Sequence, residues 1–351
     1  MSKPRRILIV RTDRIGDVVL TTPLIRALRR SFPDVYLAAL VRPYTRDVLL
    51  HNPHLNDLLV DDPDHDHAGR AGFWKQVRTL RSHQFDTALL LLPTERLAWM
   101  LFLAGIRRRV GVGTRLYQVL TFMRSVSRHK YVPLRHEADY CLDLGRAIGA
   151  ADDGLRAEVF VTEEERRRAW VILEQRGVTA GPEGKMRLIG VHPGHGHSAP
   201  NWHPERYAEL AAGLLGEPDV RVVLTGGEGD RRLVEPFRSL DPSRVVDLVG
   251  TLNVRELVGV ISRLDVLVSA STGPMHIAAG LGIPTVSLFC PLTACSPKLW
   301  GPLGNTSEVI LPPEGYCHTR CPGDPHICDL EGGVYPADVC RRVLSMTRSG
   351  G

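Results

Sequence analysis

The sequence predicts an α/β protein built as two doubly wound halves, and three observations carry that prediction. Short apolar runs rich in Val, Ile and Leu recur along the chain and alternate with amphipathic stretches. Continuous runs of this kind suit strands covered on both faces, as in a parallel sheet. Near residue 150 the series gives way to small and polar residues and then restarts, and 351 residues suffice for two domains with separate cores.

The elements follow in order. "RILIVR" starts the first half, a helix runs through "VVLTTPLIRALRRSF", and "VYLAALV" and "FDTALLLLP" are further strands. In "TEEERRRAWVILEQRG", Thr162 and Glu165 have capping-box spacing and Gly177 is a stop, so this helix is expected to bridge the halves. The second half restarts with "RLIGVHPG", then a helix from Pro204 to Leu215, "VRVVLTGG" and a helix near 230–240. "VVDLVG", a helix from Asn253 to Leu264, "DVLVSASTG" and "IPTVSLFCP" follow, and "VYPADVCRRVLSMTR" reads as a closing helix. These strands end in glycine, proline or hydroxyl residues, and open parallel sheets bind ligands at the carboxyl ends of their strands.

One such end is "VSASTGPMHIAAGLG", residues 268–282. It reads as a strand, a tight turn and a helix start with Pro274 at the first helical position. Free backbone N–H groups and the positive end of a helix dipole then point at one spot, small side chains leave room for a phosphate, and His276 lies in the first turn.

Composition excludes several classes. With 43% hydrophobic and 24% charged residues the chain is globular rather than disordered. The apolar run near the N-terminus is too short for a signal-peptide core. "LAWMLFLAGI" is about half of the roughly 20 residues a membrane span needs. A cytoplasmic location is therefore expected, where the seven cysteines are thiols or ligands rather than a disulfide framework. The net charge of +5 is uneven: residues 1–150 carry 24 Lys and Arg against 14 Asp and Glu, whereas the remainder carries 20 against 25. Sparse aromatics and the lack of a nucleic-acid motif argue against a nucleic-acid partner. An anionic acceptor or a membrane surface accounts for the basic half.

In order and spacing, "ILIVRTDRIGDVVLTTPLIRALRRSFP", "HPGHGHSAPNW", "LTGGEGD", "STGPMHIAAGLGIPTVSLF" and "WGPLG" resemble the family 9 glycosyltransferases, the heptosyltransferase group that builds the lipopolysaccharide inner core. The resemblance implies a GT-B fold, with two Rossmann-like domains facing across a cleft. Residues 1–160 would bind the acceptor, 161–330 the nucleotide-sugar, and 331–351 would close on the structure. It also implies an inverting transfer of heptose or a related sugar from an ADP-sugar to an anionic lipopolysaccharide core, with peripheral contact to the inner membrane.

The resemblance assigns roles residue by residue. Ser271, Thr272 and Gly273 would hold the diphosphate with His276, and Ser198 would reach a phosphate. Gly227 and Glu228 would meet the nucleoside end, Glu228 at the ribose hydroxyls. Many members have an aspartate where this chain has Ser271, and a basic residue where it has Pro200. Trp202 is expected to pack. Inversion needs a base for the acceptor hydroxyl and stabilisation of the leaving phosphate. "RTDRIGDVV" offers Asp13 and Asp17, and the family's Gly-Asp motif favours Asp17, a position that equally suits a helix cap. Arg11 and Arg14 would hold acceptor phosphates or carboxylates.

No DxD motif accompanies the donor turns, so no metal and no cofactor are expected. Cys317, Cys321 and Cys328 fit no zinc spacing and read as a structural loop. An epimerase-like nucleotide-sugar enzyme and a non-catalytic nucleotide-sugar binder stay open as alternatives. The missing GxGxxG after the first strand disfavours a dinucleotide oxidoreductase.

Overall fold

The apolar runs become parallel strands. The computed structural model describes residues 3–178, 186–196 and 199–348, and the chain divides into two units, Met1–Phe160 and Val161–Gly351. In the first unit, β1 (Arg6–Val10), β2 (Tyr36–Val41), β3 (Asp57–Val60), β4 (Thr87–Leu90), β5 (Arg108–Val112) and β6 (Arg124–Val126) lie in the order β3-β2-β1-β4-β5-β6. In the second, β7 (Arg187–His192), β8 (Val220–Leu224), β9 (Val245–Asp247), β10 (Val266–Ala270), β11 (Thr285–Leu288) and β12 (Ser307–Ile310) lie in the order β12-β11-β10-β7-β8-β9. Every neighbouring pair is parallel.

Each order is the doubly wound one, with a single reversal of strand direction of growth: between β1 and β4 in one unit, and between β7 and β10 in the other. The crevice at such a reversal is where ligands of this topology bind. The strands flanking it are buried on both faces, Ile7, Leu8, Ile9 and Val10 in β1 and Val266, Leu267 and Val268 in β10. The residues just past their ends are thereby held on a rigid frame.

In the first unit the helices Thr22–Ser31 and Glu137–Arg146 pack together. Gly145 permits the approach, since a Cβ there would sit 2.8 Å from Leu24 Cδ1. In the second unit Pro204–Leu214 packs against the closing helix Pro336–Arg348. The helix expected to bridge the halves, Glu163–Gln175, instead belongs to the second unit and packs on Val254–Ile261. Its predicted capping box forms, with Glu165 N donating to Thr162 Oγ1 at 3.2 Å and Thr162 N to Glu165 Oε2 at 2.8 Å. The same Glu165 takes a two-pronged pair from Arg255, at 2.5 and 2.6 Å. Those Arg255 bonds, followed by the cap, hold the Glu165 carboxyl down at about 2.

The helix expected near 230–240 is a 3₁₀ run, Glu228–Ser239. Pro236 removes a backbone donor inside it and the glycines before it favour no helix, so the tighter ladder prevails.

Candidate active site

In the second unit the site grows from the carboxyl ends of β7, β8 and β10. After β10, Thr272 is the N-cap of the helix Gly273–Leu281 in extended backbone, φ −134° and ψ 167°, and its side chain caps nothing. Thr272 Oγ1 is buried and has no hydrogen-bond partner among the described residues. A buried hydroxyl left open beside a helix start is a donor available to a ligand. Gly273 and Pro274 occupy the first two helical positions, so Pro274 stands one place later than expected. The amides of Gly273 and Met275 lack intrahelical acceptors, and proline wastes none. Ser271 is half-buried beside them, and His276 is buried one turn in, with its amide directed to Thr272 O at 3.4 Å. Gly282, at φ +79°, closes the helix in the left-handed conformation that glycine tolerates.

The β7 end is held by hydrogen bonds. His192 is buried, pairs with Thr225 Oγ1 at 3.0 Å, and burial pushes its imidazole down to about 4. Asn201 Nδ2 donates to Pro193 O at 2.8 Å and Asn201 Oδ1 accepts from Tyr207 Oη at 2.7 Å. Trp202 is a core residue, its indole donating to Val334 O at 3.2 Å, and Pro200 is buried. Ser198 and His197 lie outside the described residues.

The β8 end contains a residue the sequence analysis missed. Asp230 Oδ2 accepts from Gly227 N at 2.8 Å and lies 2.5 Å from where a Cβ on Gly194 would be. It therefore packs closely on the β7 loop, and Gly194 is glycine because a side chain there would displace it. Its signal was present in "GGEGD", where an acid follows three residues after a possible cap. Glu228 is 76% exposed and pairs with Arg231 at 2.9 Å.

In the first unit the end of β1 is crowded with charge. Arg11 is 4% exposed, and all three of its guanidinium nitrogens are engaged. Nε donates to Asp13 Oδ1 at 2.8 Å, Nη2 to Asp17 Oδ1 at 2.5 Å, and Nη1 to Glu137 Oε1 at 3.1 Å. Glu137, 1% exposed, also takes a two-pronged pair from Arg128, at 2.6 and 2.8 Å. Burial pushes the Asp13 carboxyl up to about 6, against the pull of Arg11, and pushes the adjacent Cys141 thiol up to about 12.

Two expectations change here. Arg11 was expected to bind acceptor; with every nitrogen committed to an internal acid, it instead fixes Asp17. The capping role for Asp17 also falls away, since Arg14 is the N-cap of the helix Ile15–Val19 and Asp17 is its third residue. Only Oδ1 of Asp17 is engaged; Oδ2 makes no hydrogen bond among the described residues. Arg14 is exposed and makes no ion pair among the described residues.

Cys317, Cys321 and Cys328 are free thiols that pack against the second unit's core. Among the described residues no group of three or more His, Cys, Asp or Glu is arranged to hold a metal.

Two doubly wound parallel sheets, one ending in a small-residue turn with an open buried hydroxyl and the other in a clamped carboxylate, define the class, a two-unit α/β protein. The comparisons with known proteins narrow it. A model of glycosyltransferase family 9 (heptosyltransferase) matches residues 73–322. The lipopolysaccharide heptosyltransferase 2 of Escherichia coli is 25% identical over 326 residues, spanning 90% of this chain and 90% of that protein. The family 9 glycosyl transferase of Veillonella parvula shares the fold at a TM-score of 0.81, with 22% identity and 98% of each chain covered. The E. coli ADP-heptose lipopolysaccharide heptosyltransferase II does so at 0.77, with 21% identity, covering 98% of this chain and 99% of that one. The chain belongs to glycosyltransferase family 9, has the α/β GT-B fold, and is a glycosyltransferase.

Proposed function

We propose that this enzyme transfers a heptose or a related sugar, with inversion, from an ADP-sugar to an anionic lipopolysaccharide inner-core acceptor, acting in the cytoplasm. The family supports the sugar class and the acceptor class; relatives named for ADP-heptose support the donor. The observation that carries the reading is the Asp17 carboxylate, clamped through one oxygen by buried Arg11 and open at the other.

The second unit binds the donor. The diphosphate rests against the amides of Gly273 and Met275, with the Thr272 hydroxyl, Ser271 and His276 around it, at the positive end of the Gly273–Leu281 helix. Gly227 and Glu228 meet the nucleoside, and Ser198, outside the described residues, is assigned to a phosphate by the family resemblance alone. These groups are placed before the reaction, so they stabilise the charge that develops on the leaving phosphate without reorganising.

The first unit binds the acceptor, with exposed Arg14 on its phosphates or carboxylates. Asp17 Oδ2 takes the proton of the attacking hydroxyl as that oxygen bonds to the anomeric carbon. The bond from that carbon to the diphosphate breaks on the opposite side, and ADP leaves. Arg11 and Glu137 act as positioning residues: Arg11 keeps Asp17 in one rotamer, and Glu137, held in turn by Arg128, keeps Arg11 in place. No metal enters this mechanism.

The test is transfer from ADP-heptose to core acceptors read by product mass. Product formation by the wild type, slowed by about 10²- to 10⁴-fold in Asp17→Asn with ADP binding retained, is the expected result. Sugar epimerisation without transfer, or ADP-sugar binding without turnover, contradicts the reading.

A further inference from the structure

The loop after β1 presents two carboxylates, and the proposed reaction uses one. Asp13 and Asp17 lie on the same edge of the Arg11 guanidinium, Asp13 Oδ1 accepting from Nε at 2.8 Å and Asp17 Oδ1 from Nη2 at 2.5 Å. That edge ordinarily receives both oxygens of a single carboxylate. Here it receives one oxygen from each of two, so each acid keeps its other oxygen. Neither Oδ2 makes a hydrogen bond to another residue among the described residues. The Asp13 and Asp17 side chains are 15% and 17% exposed and that of Arg11 is 4% exposed, so the rim presents the carboxylates and not the guanidinium.

An internal role accounts for only half of Asp13. Arg11 Nε is a buried donor that needs an acceptor, and Oδ1 supplies it. An amide oxygen would meet that need without a charge. The charge itself is surplus inside: Asp13, Asp17 and Glu137 share two arginines, Arg11 and Arg128, and the neighbouring Cys141 thiol, pushed up to about 12 by burial, carries none. One carboxylate more than the arginines is therefore left to be satisfied from outside. The loop is also fixed in advance. Tyr44, exposed in the short helix Pro43–Arg46 after β2, donates its Oη to Asp13 O at 2.9 Å.

An ionised carboxylate oxygen only accepts, so its partner from outside is a donor. Two carboxylates on one guanidinium edge hold their open oxygens side by side. On a sugar, the donors that stand side by side are hydroxyls on adjacent carbons. We propose that Asp13 is a specificity-determining residue of the acceptor site: its Oδ2 accepts a hydrogen bond from the hydroxyl next to the one that Asp17 deprotonates, so the enzyme selects acceptors with hydroxyls on adjacent carbons. This deepens the proposed function and rests on its reading of Asp17 as the base. The neighbouring hydroxyl keeps its proton, and its bond holds the acceptor equally before and during transfer, which is binding expressed in KM.

The test pairs a variant with substrate analogues. Asp13→Asn keeps the Oδ1 acceptor for Arg11 Nε and removes the open carboxylate oxygen, and thermal melting checks that it folds. The probes are the core oligosaccharide freed of its acyl chains and its monodeoxy analogues, each lacking one hydroxyl that flanks the attacked one. On the full oligosaccharide, Asp13→Asn should raise the acceptor KM about tenfold, the value of one hydrogen bond to a charged group, with kcat within about threefold of wild type and ADP binding unchanged. Wild type should lose about tenfold in kcat/KM on one analogue, and Asp13→Asn should lose no more than about twofold on that same analogue, because the bond is already gone. An unchanged acceptor KM in Asp13→Asn, or equal losses by variant and wild type on the analogue, overturns the proposal and leaves the proposed reaction standing. Wild type that uses every monodeoxy analogue as well as the full oligosaccharide overturns it without recourse to the variant. If wild type transfers nothing, the proposed reaction falls, and calorimetry with the same oligosaccharides decides the proposal by itself. Binding about tenfold weaker in Asp13→Asn than in wild type then supports the second carboxylate, and equal or absent binding overturns it.

Discussion

The ends of β1 and of β10 each flank the reversal point of their own sheet, yet their chemistry is opposite. After β1 come an arginine, two aspartates and, from a distant helix, a buried glutamate, all joined through one guanidinium. After β10 come serine, threonine, glycine and proline, with a helix start and no charged side chain until well beyond it. One rim is filled with its own counter-charges and the other is open to an external anion. A frame of buried parallel strands dictates where chemistry goes, and the residues just past each strand decide which chemistry it is.

The sharpest way to break this contrast is to remove the charge that the first rim presents. Asp17→Asn should lower kcat by about 10²- to 10⁴-fold, the span typical of a lost general base, while leaving the ADP dissociation constant unchanged. Steady-state kinetics beside calorimetry separates the two.

The next largest effect lies underneath it. Glu137→Ala leaves buried Arg11 and half-buried Arg128 without their shared acid, and should cost about 3–5 kcal/mol of stability by denaturant unfolding. Glu137→Asp should recover part of that loss and part of kcat, because a shorter carboxylate still reaches one arginine. A simple packing role would show the stability loss without a kcat recovery that tracks it.

Asp13 sharpens the contrast through pH. Its carboxyl is raised in the folded protein to about 6 from an ordinary 3.8. The folded state therefore binds that proton more tightly than the unfolded state, and this stabilisation is full below 3.8 and lost as pH rises through 6. Asp13→Asn, which does not titrate, should gain stability relative to wild type across that window, by at most about 1.4 kcal/mol per pH unit. A difference between the two proteins that is flat from pH 4 to 7 would mean Asp13 is not desolvated. The smallest effect is electrostatic: raising salt should raise the acceptor KM before it alters ADP binding, since exposed cations such as Arg14 are screened beyond roughly 8 Å at physiological salt.

Much of the second unit could be read from sequence because its signals are local. The β7, β8 and β10 runs, their glycine and hydroxyl ends, Pro274 and the Thr162–Glu165 box are all written within a few residues of where they act. The strands β3, β5, β6 and β12 were missed; three are at sheet edges, where short mixed sequences such as "RSV" suffice because one side needs no cover. The first rim was misread for a different reason. Arg11 looks like an acceptor ligand until Glu137, 126 positions later, closes on it. No local pattern reports a pairing over that distance. Asp230 was overlooked because its packing on Gly194 exists only once β7 and β8 are neighbours.

The central claim is that the turn after β10 receives the nucleotide diphosphate, and calorimetric titration with ADP tests it most directly. Thr272→Val keeps the shape of the turn and removes only the open hydroxyl, while His276→Ala removes the imidazole of the first turn. The account predicts about tenfold weaker ADP binding for each, the value of one hydrogen bond to a charged group, with Arg14→Gln in the first unit leaving the affinity at the wild-type value. ADP affinity unchanged in both second-unit variants, or lost in Arg14→Gln, would contradict it.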